Sequence, residues 1–288
     1  MKLTTFIQNG TQRIGLVEDG MVIDLQAVDA SVPGSIRAVL EAGIDLAALA
    51  AKARSAQIER LPLASLELAT LIPEPGKIVC LGLNYFDHAK EGGREKPDYP
   101  WFFFRGKSSM MAHGKPGIVP KVSDRFDYEA ELAVVIGRKV PRHVSQAQAL
   151  QYVFGYTCFN DMSVRDYQKR TPQWTIGKNF DATGALGPVL VSADELPEGA
   201  TSLRIQSRLN GTVMQDANTS DMIWSVAETI ALLSDCMTLE PGDVIAMGTP
   251  AGVGQARTPP VWMKAGDVIE IEIERIGLLV NPIEAEVA

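Results

Sequence analysis

The sequence predicts a mostly β protein with some α (α+β), a mixed sheet or roll preceded by a small β/α unit, and three observations carry that expectation. Turn dipeptides, Asn9-Gly10 and Asp19-Gly20, separate short β-type runs at the start of the chain. From Lys77 onward short runs of β-branched, aromatic and aliphatic residues recur with few helical stretches between them. Their spacing does not follow the regular strand-helix alternation of a parallel α/β fold.

Taken in order, Leu3 to Ile7, Arg13 to Val17 and Met21 to Leu25 read as a meander, and the Ala- and Leu-rich stretch from Ile36 to Gln57 as an interrupted helix. Pro73-Glu74-Pro75-Gly76 punctuates the chain. We place a boundary there, between a small N-terminal unit (1–72) and a larger second unit (73–288). In the second unit the predicted strands are Ile78 to Leu83, Phe126 to Ile136, Phe154 to Phe159, Val189 to Val191, Ser202 to Leu209, Val244 to Met247 and Val268 to Ile273. Asn210-Gly211 is a hairpin turn joining Ile205 to Leu209 with Thr212 to Gln215. Helices are expected near 145–152, 162–170 and 221–236.

Composition narrows the function. A net charge of −8 argues against nucleic acid as a partner, because phosphate binding needs a basic surface. No apolar stretch approaches the roughly 20 residues of a membrane helix, and polar Gln8-Asn9-Gly10 cuts short any signal-peptide core. Three scattered cysteines, Cys80, Cys158 and Cys236, suggest reduced thiols, so a cytoplasmic location is expected. With three histidines far apart in sequence, no zinc cluster assembles from local spacing.

The chemistry begins with two alternating-acid runs that behave differently. Ile269 to Glu274 is apolar on one side and acidic on the other, as a half-solvated strand should be. In the run from Glu129, by contrast, the glutamate side continues as Ala133 and Val135, and the opposite side reads Tyr128, Ala130, Leu132, Val134 and Ile136. Both faces turn apolar, so Glu129 and Glu131, about 7 Å apart on one side of a strand, are costly unless a cation or strong donors meet them. Asp161, at the end of another β-run, is the natural third carboxylate; the competing role for an Asp there is a helix N-cap. Carboxylate oxygens favour Mg²⁺ or Mn²⁺, with Ca²⁺ as a substitute.

Other residues add to this. If a helical turn follows Tyr85, His88 and Glu91 lie at i and i+3 and form an acid/base dyad, with Gly92-Gly93 permitting a mobile lid. Lys178, between Gly177 and Asn179, is placed to neutralise a carboxylate cluster or to steady an oxyanion; the alternative is a lysine with its head in water. The amides of the glycine-rich loop Gly248 to Gly254 are expected to cradle a carboxylate or phosphate, or else to make a tight turn. Arg165 and Asp166 are expected to pair at the surface. The basic group Arg94, Lys96, Arg105 and Lys107 suggests an anionic substrate tail or a solvated loop.

Together, Gly82-Leu83-Asn84-Tyr85 with Asp87-His88 and Glu91, then Asp127 to Leu132, Asn160-Asp161-Met162, Arg165-Asp166, Gln168, Gly177 to Phe180, Asn210-Gly211, Pro241 to Ile245 and Gly248 to Gly254 closely resemble the fumarylacetoacetate hydrolase superfamily over roughly residues 75 to 285. The resemblance implies a mixed β-sandwich roll, a homodimer and a small N-terminal domain. It also implies Mg²⁺/Mn²⁺ ligands at Glu129, Glu131 and Asp161, a water-activating dyad at His88 and Glu91, and an active-site lysine at Lys178. Gln168, Thr249, Arg165 and Tyr85 match positions for substrate contact. Where Leu83 stands some members carry arginine. The implied substrate is a small anionic 2-oxo acid. The expected reaction is metal-dependent hydrolysis of the C–C bond of an acylpyruvate such as fumarylpyruvate or maleylpyruvate, in aromatic-compound catabolism. Two alternatives remain within the superfamily, 2-oxo acid decarboxylation and hydroxymuconate-type isomerisation, and one outside enzymology, a metal-stabilised binding protein.

Overall fold

The computed structural model describes residues 1–287. Strands Lys2–Gln8, Thr11–Glu18 and Met21–Asp24 form the expected meander. Its turns are tight because Asn9-Gly10 (φ 51° and 73°) and Asp19-Gly20 (φ 49° and 75°) both take the left-handed conformation that a two-residue hairpin of this hand requires. The interrupted helix resolves into Ile36–Glu41 and Leu46–Ser55, whose N-caps Ser35 and Asp45 accept hydrogen bonds from the amides of Ala38 and Ala48.

The meander does not stand apart. Lys2 and Leu3 pair with Val191 and Leu190, which joins the N-terminal strands to a mixed sheet. Across that sheet the order is Arg60–Pro62, Met21–Asp24, Thr11–Glu18, Lys2–Gln8, Gly184–Ser192, Val153–Asp161, Ala130–Ile136, Val244–Ala246, Ile78–Gly82 and Trp101–Phe104. A second sheet (Thr212–Asn218, Arg204–Leu209, Val268–Ile273, Gly277–Ala285, Gly117–Val119) packs on its central strands. The Asn210-Gly211 hairpin forms as expected. Helix Val226–Cys236 starts at a reciprocal cap between Ser225 and Glu228, while the segment near 145–152 is one α-helical turn, Gln146–Ala149, running into a 3₁₀ turn, Leu150–Tyr152, and Arg165–Gln168 is a single turn. No helix among the described residues is long and apolar enough to cross a membrane.

Two differences from expectation matter. The predicted strand Phe126 to Ile136 is broken: Phe126–Asp127 pairs with Ser163–Val164, and the central strand begins only at Ala130. The break arises because the amide of Glu129 donates to Asn160 Oδ1 at 3.0 Å and that of Tyr128 to Asp127 Oδ1 at 2.9 Å. The nine-residue strand Gly277–Ala285 went unforeseen because Asn281 and Pro282 interrupt its apolar pattern; Pro282 sits opposite Val268 at the last rung of the ladder.

Candidate metal centre and active site

Every residue of Ala130–Ile136 is buried, with neighbours Val153–Asp161 and Val244–Ala246 on its two edges. Burying its Val, Leu and Ile side chains contributes about 1.5–3 kcal/mol each, and that burial carries Glu131 into the interior. Asp161 ends the adjacent strand, in register with this one, and its amide bonds to the Glu129 carbonyl at 3.0 Å. Carboxylate oxygens of Glu129, Glu131 and Asp161 thereby lie within 4.8 Å of one another, all buried. Asp161 is not a helix cap; the following turn starts after Val164 and has no side-chain cap.

The charges around this triad do not balance. Lys178 Nζ donates to Glu129 Oε2 at 2.7 Å and Asp161 Oδ2 at 2.6 Å. Arg165 holds Asp127 at 2.8 Å and Glu129 at 2.6 Å, and Arg105 pairs with Asp161. Four buried acids (Asp127, Glu129, Glu131, Asp161) thus face three buried cations, and the deficit falls on Glu131, which accepts one hydrogen bond, from the Gly248 amide at 3.0 Å. Burial, reinforced by the charges of Asp161 and Glu129, pushes its carboxyl well above the usual range. Burial acts the same way on Glu129, but Lys178 and Arg165 outweigh it and hold that carboxyl low. An under-compensated cluster of hard oxygen donors fits a divalent cation of the Mg²⁺ or Mn²⁺ kind.

A cavity of about 320 Å³ opens on Glu129 and Glu131, with Asp161 fully buried outside its lining, and is bordered among others by His88, Glu91, Arg165, Gln168, Lys178 and Thr249. Helix Phe86–Glu91 brings His88 Nδ1 within 2.7 Å of Glu91 Oε1, and the other Glu91 oxygen accepts the Gly252 amide at 2.9 Å. Both oxygens of Glu91 are therefore committed, leaving the second ring nitrogen of His88 as the atom for proton transfer. Gln168 is fixed by Arg165 at 3.0 Å, and Thr249 by Gln215 at 2.7 Å. Gly177 is required here: a Cβ there would meet the Gln168 backbone nitrogen at 2.3 Å.

Several expectations are corrected. Arg165 does not pair with Asp166 at the surface; it is 2% exposed and bound to Asp127 and Glu129, while Asp166 accepts from Ser123 Oγ at 2.5 Å. The amides of the glycine-rich loop do not wait for a substrate anion. Three are taken by the chain's own carboxylates: Gly248 by Glu131, Gly252 by Glu91 and Gly254 by Asp127 (2.7 Å). Of the basic group, Arg94 lines the cavity, Arg105 is buried on Asp161, and Lys107 pairs with Glu74 at the surface. Tyr85 is not among the cavity-lining residues; it is 2% exposed with an unpartnered hydroxyl. Sequence reasoning missed Asp127 and Arg105 as site residues. Asp127 stood in the same acidic run as Glu129, and Arg105 followed the strand Trp101–Phe104, whose end aims it inward.

Residues 77–284 match the family described as fumarylacetoacetate (FAA) hydrolase C-terminal, and the chain belongs to that family of metal-dependent enzymes. Its relatives include the Xenopus laevis protein named oxaloacetate tautomerase fahd2, mitochondrial (40% identical over 275 residues, 94% of this chain and 86% of the relative). The human oxaloacetate tautomerase FAHD2A, mitochondrial, is 39% identical over 92% of this chain and 84% of its own length. Among solved structures, fumarylacetoacetate hydrolase from Exiguobacterium antarcticum superposes with a TM-score of 0.86 at 35% identity, covering 99% of this chain and all of that one. Maleylpyruvate hydrolase from Sphingobium sp. SYK-6, in complex with manganese(II) ion and pyruvate, gives 0.82 at 30% identity with both chains fully covered.

Proposed function

We propose that the protein hydrolyses the C3–C4 bond of 2,4-dioxo acids of the acylpyruvate class, giving pyruvate and a carboxylic acid, with Mg²⁺ or Mn²⁺ held by Glu129, Glu131 and Asp161. The observation that carries this reading is the oriented His88–Glu91 pair on the wall of the cavity that Glu129 and Glu131 also line. When bound, the ion supplies Lewis-acid stabilisation of the negative charge that gathers on the 2-oxo oxygen. Glu91 fixes the imidazole of His88, which takes a proton from water, and the water oxygen attacks C4. As the C3–C4 bond breaks, its electron pair passes to C3 of the pyruvate fragment, which then takes up a proton. Lys178 keeps Glu129 and Asp161 in place; its third N–H donates only a long hydrogen bond, 3.5 Å, to the Asp161 carbonyl, which a developing oxyanion would replace. Gln168, Thr249 and Arg165 border the substrate, and a homodimer in a reducing compartment is part of the same reading.

Oxaloacetate tautomerisation is the second reading, favoured by the names of relatives that match nearly the whole chain. It needs proton transfer at C3 but no attack by water. Both readings are tested by incubating acylpyruvates and oxaloacetate with Mg²⁺ or Mn²⁺ and following enol absorbance together with pyruvate. For hydrolysis, His88→Ala and Glu91→Gln lower kcat by about 10²-fold or more. Interconversion of oxaloacetate tautomers without pyruvate release from any 2,4-dioxo acid would replace the first reading with the second.

A further inference from the structure

Asn84 is fully buried and lies outside the cavity lining, yet its amide is bound on both sides. Its Oδ1 accepts the Trp224 amide at 2.8 Å, and its Nδ2 donates to the carbonyls of Trp224 at 3.1 Å and Met247 at 2.7 Å. Those partners fix which way the side chain faces, since an N–H can only donate and a carbonyl can only accept. The bond to Met247 reaches the site. That carbonyl belongs to the same planar peptide as the Gly248 N–H, which at 3.0 Å is the one hydrogen-bond donor to Glu131 among the described residues. In a trans peptide the two groups point opposite ways, so Asn84 and Glu131 hold the peptide by its opposite edges. A carbonyl that accepts a hydrogen bond polarises its peptide and strengthens the donation on the other edge. So close an approach needs glycine: Gly248 has φ 87°, and a Cβ there would meet the Asn84 Cβ at 2.7 Å. The Asn84 backbone is tied down as well. Its carbonyl accepts the Ile223 amide at 2.6 Å, Tyr85 bridges to Met222, and the helix bearing His88 and Glu91 starts directly after Tyr85.

We propose that Asn84 is a positioning residue for the divalent ion. Through the Met247–Gly248 peptide it holds Glu131 in the posture that binds Mg²⁺ or Mn²⁺, while touching neither ion nor substrate itself. The inference rests on the proposed function, in which Glu129, Glu131 and Asp161 are the ion's ligands.

The test is ion binding rather than turnover. Mn²⁺ affinity is read from the free-ion signal in electron paramagnetic resonance, at a temperature where circular dichroism shows each variant folded. Asn84→Ala should weaken binding about 10- to 100-fold. Asn84→Leu, which restores volume without the donor, should not recover it. Unchanged affinity in a folded Asn84→Ala protein, or recovery by leucine, overturns the proposal, because a residue that only fills space or only adds stability would give one of these. The peptide itself supplies a second reading. Met247-Gly248 is the only Met-Gly pair in the sequence, so labelling methionine carbonyls with ¹³C and glycine nitrogens with ¹⁵N isolates its single resonance. In EDTA, Glu131→Gln replaces a charged acceptor by a neutral one, and it should move the Gly248 proton upfield and shift the Met247 carbonyl with it. This variant keeps Asn84, so it decides the matter even where the Asn84 variants do not fold. A carbonyl signal indifferent to Glu131→Gln overturns the relay. Absence of Mn²⁺ binding by the unaltered protein would instead sink the ion site, with the relay still decided by the labelled resonance.

Discussion

Two strands of this protein carry alternating acids, and they treat them in opposite ways. In Val268–Ile273, Glu270 and Glu272 lie on the wetter side of a half-buried strand and share Arg208, at 2.8 Å and 2.7 Å, with side chains 20–49% exposed. In and before Ala130–Ile136, Glu129 and Glu131 enter a buried environment where Glu129 is met by Lys178 and Arg165 and Glu131 by a single amide. The same residue type in the same alternation is a solvated face in one place and a site in the other. Covering of the second face makes the difference, because desolvation turns an acid from a nearly free surface group into one that demands a partner.

Cutting the buried network should have the largest effect. Lys178→Met leaves Glu129 and Asp161 without their shared cation, and we expect a loss of about 3–5 kcal/mol in urea unfolding of the ion-free protein. A loss below 1 kcal/mol would mean that these acids are not held as charges. Glu131→Gln sharpens the contrast from the other side. It removes the uncompensated charge while keeping an acceptor for Gly248, so in EDTA the variant should melt no lower than the unaltered chain. Saturating Mn²⁺ at about a hundred times its Kd should stabilise the unaltered protein by about 2.7 kcal/mol and the variant hardly at all. Equal stabilisation of both by the ion would remove Glu131 from the metal centre. Smallest is Arg208→Ala on the exposed strand, expected to cost at most about 1 kcal/mol and less in high salt. A salt-independent loss of several kcal/mol there would erase the distinction between the two strands.

How much of this was legible in the sequence follows from the range of the forces involved. The meander and the Asn210-Gly211 hairpin were readable because their turns are local, set by two residues each. Burial of Glu129 and Glu131 was readable because apolar residues on both faces implied a covered strand, whereas Asp161 was joined to them by its place at the end of another β-run and by the family resemblance. What was not readable depended on contacts far apart in the chain. Arg165 appeared to have a neighbour in Asp166, yet its partner is Asp127, and Arg105 looked like part of a basic loop until the strand Trp101–Phe104 turned it toward Asp161. The glycine-rich loop offered amides to an anion, as its composition suggested; that the anions belong to the protein required three segments to meet.

That loop has a consequence for how the protein tolerates change. Through the amides of Gly248, Gly252 and Gly254 one short stretch of backbone sets the positions of Glu131, which we propose holds the ion, of Glu91, bonded to the His88 imidazole, and of Asp127, which in turn holds Arg165. Lengthening it by a single residue would disturb all three at once and silence the protein rather than retune it. New substrate preferences are therefore easier to acquire elsewhere on the cavity wall, around Arg94 and Lys169, where side chains can be exchanged without moving the hub.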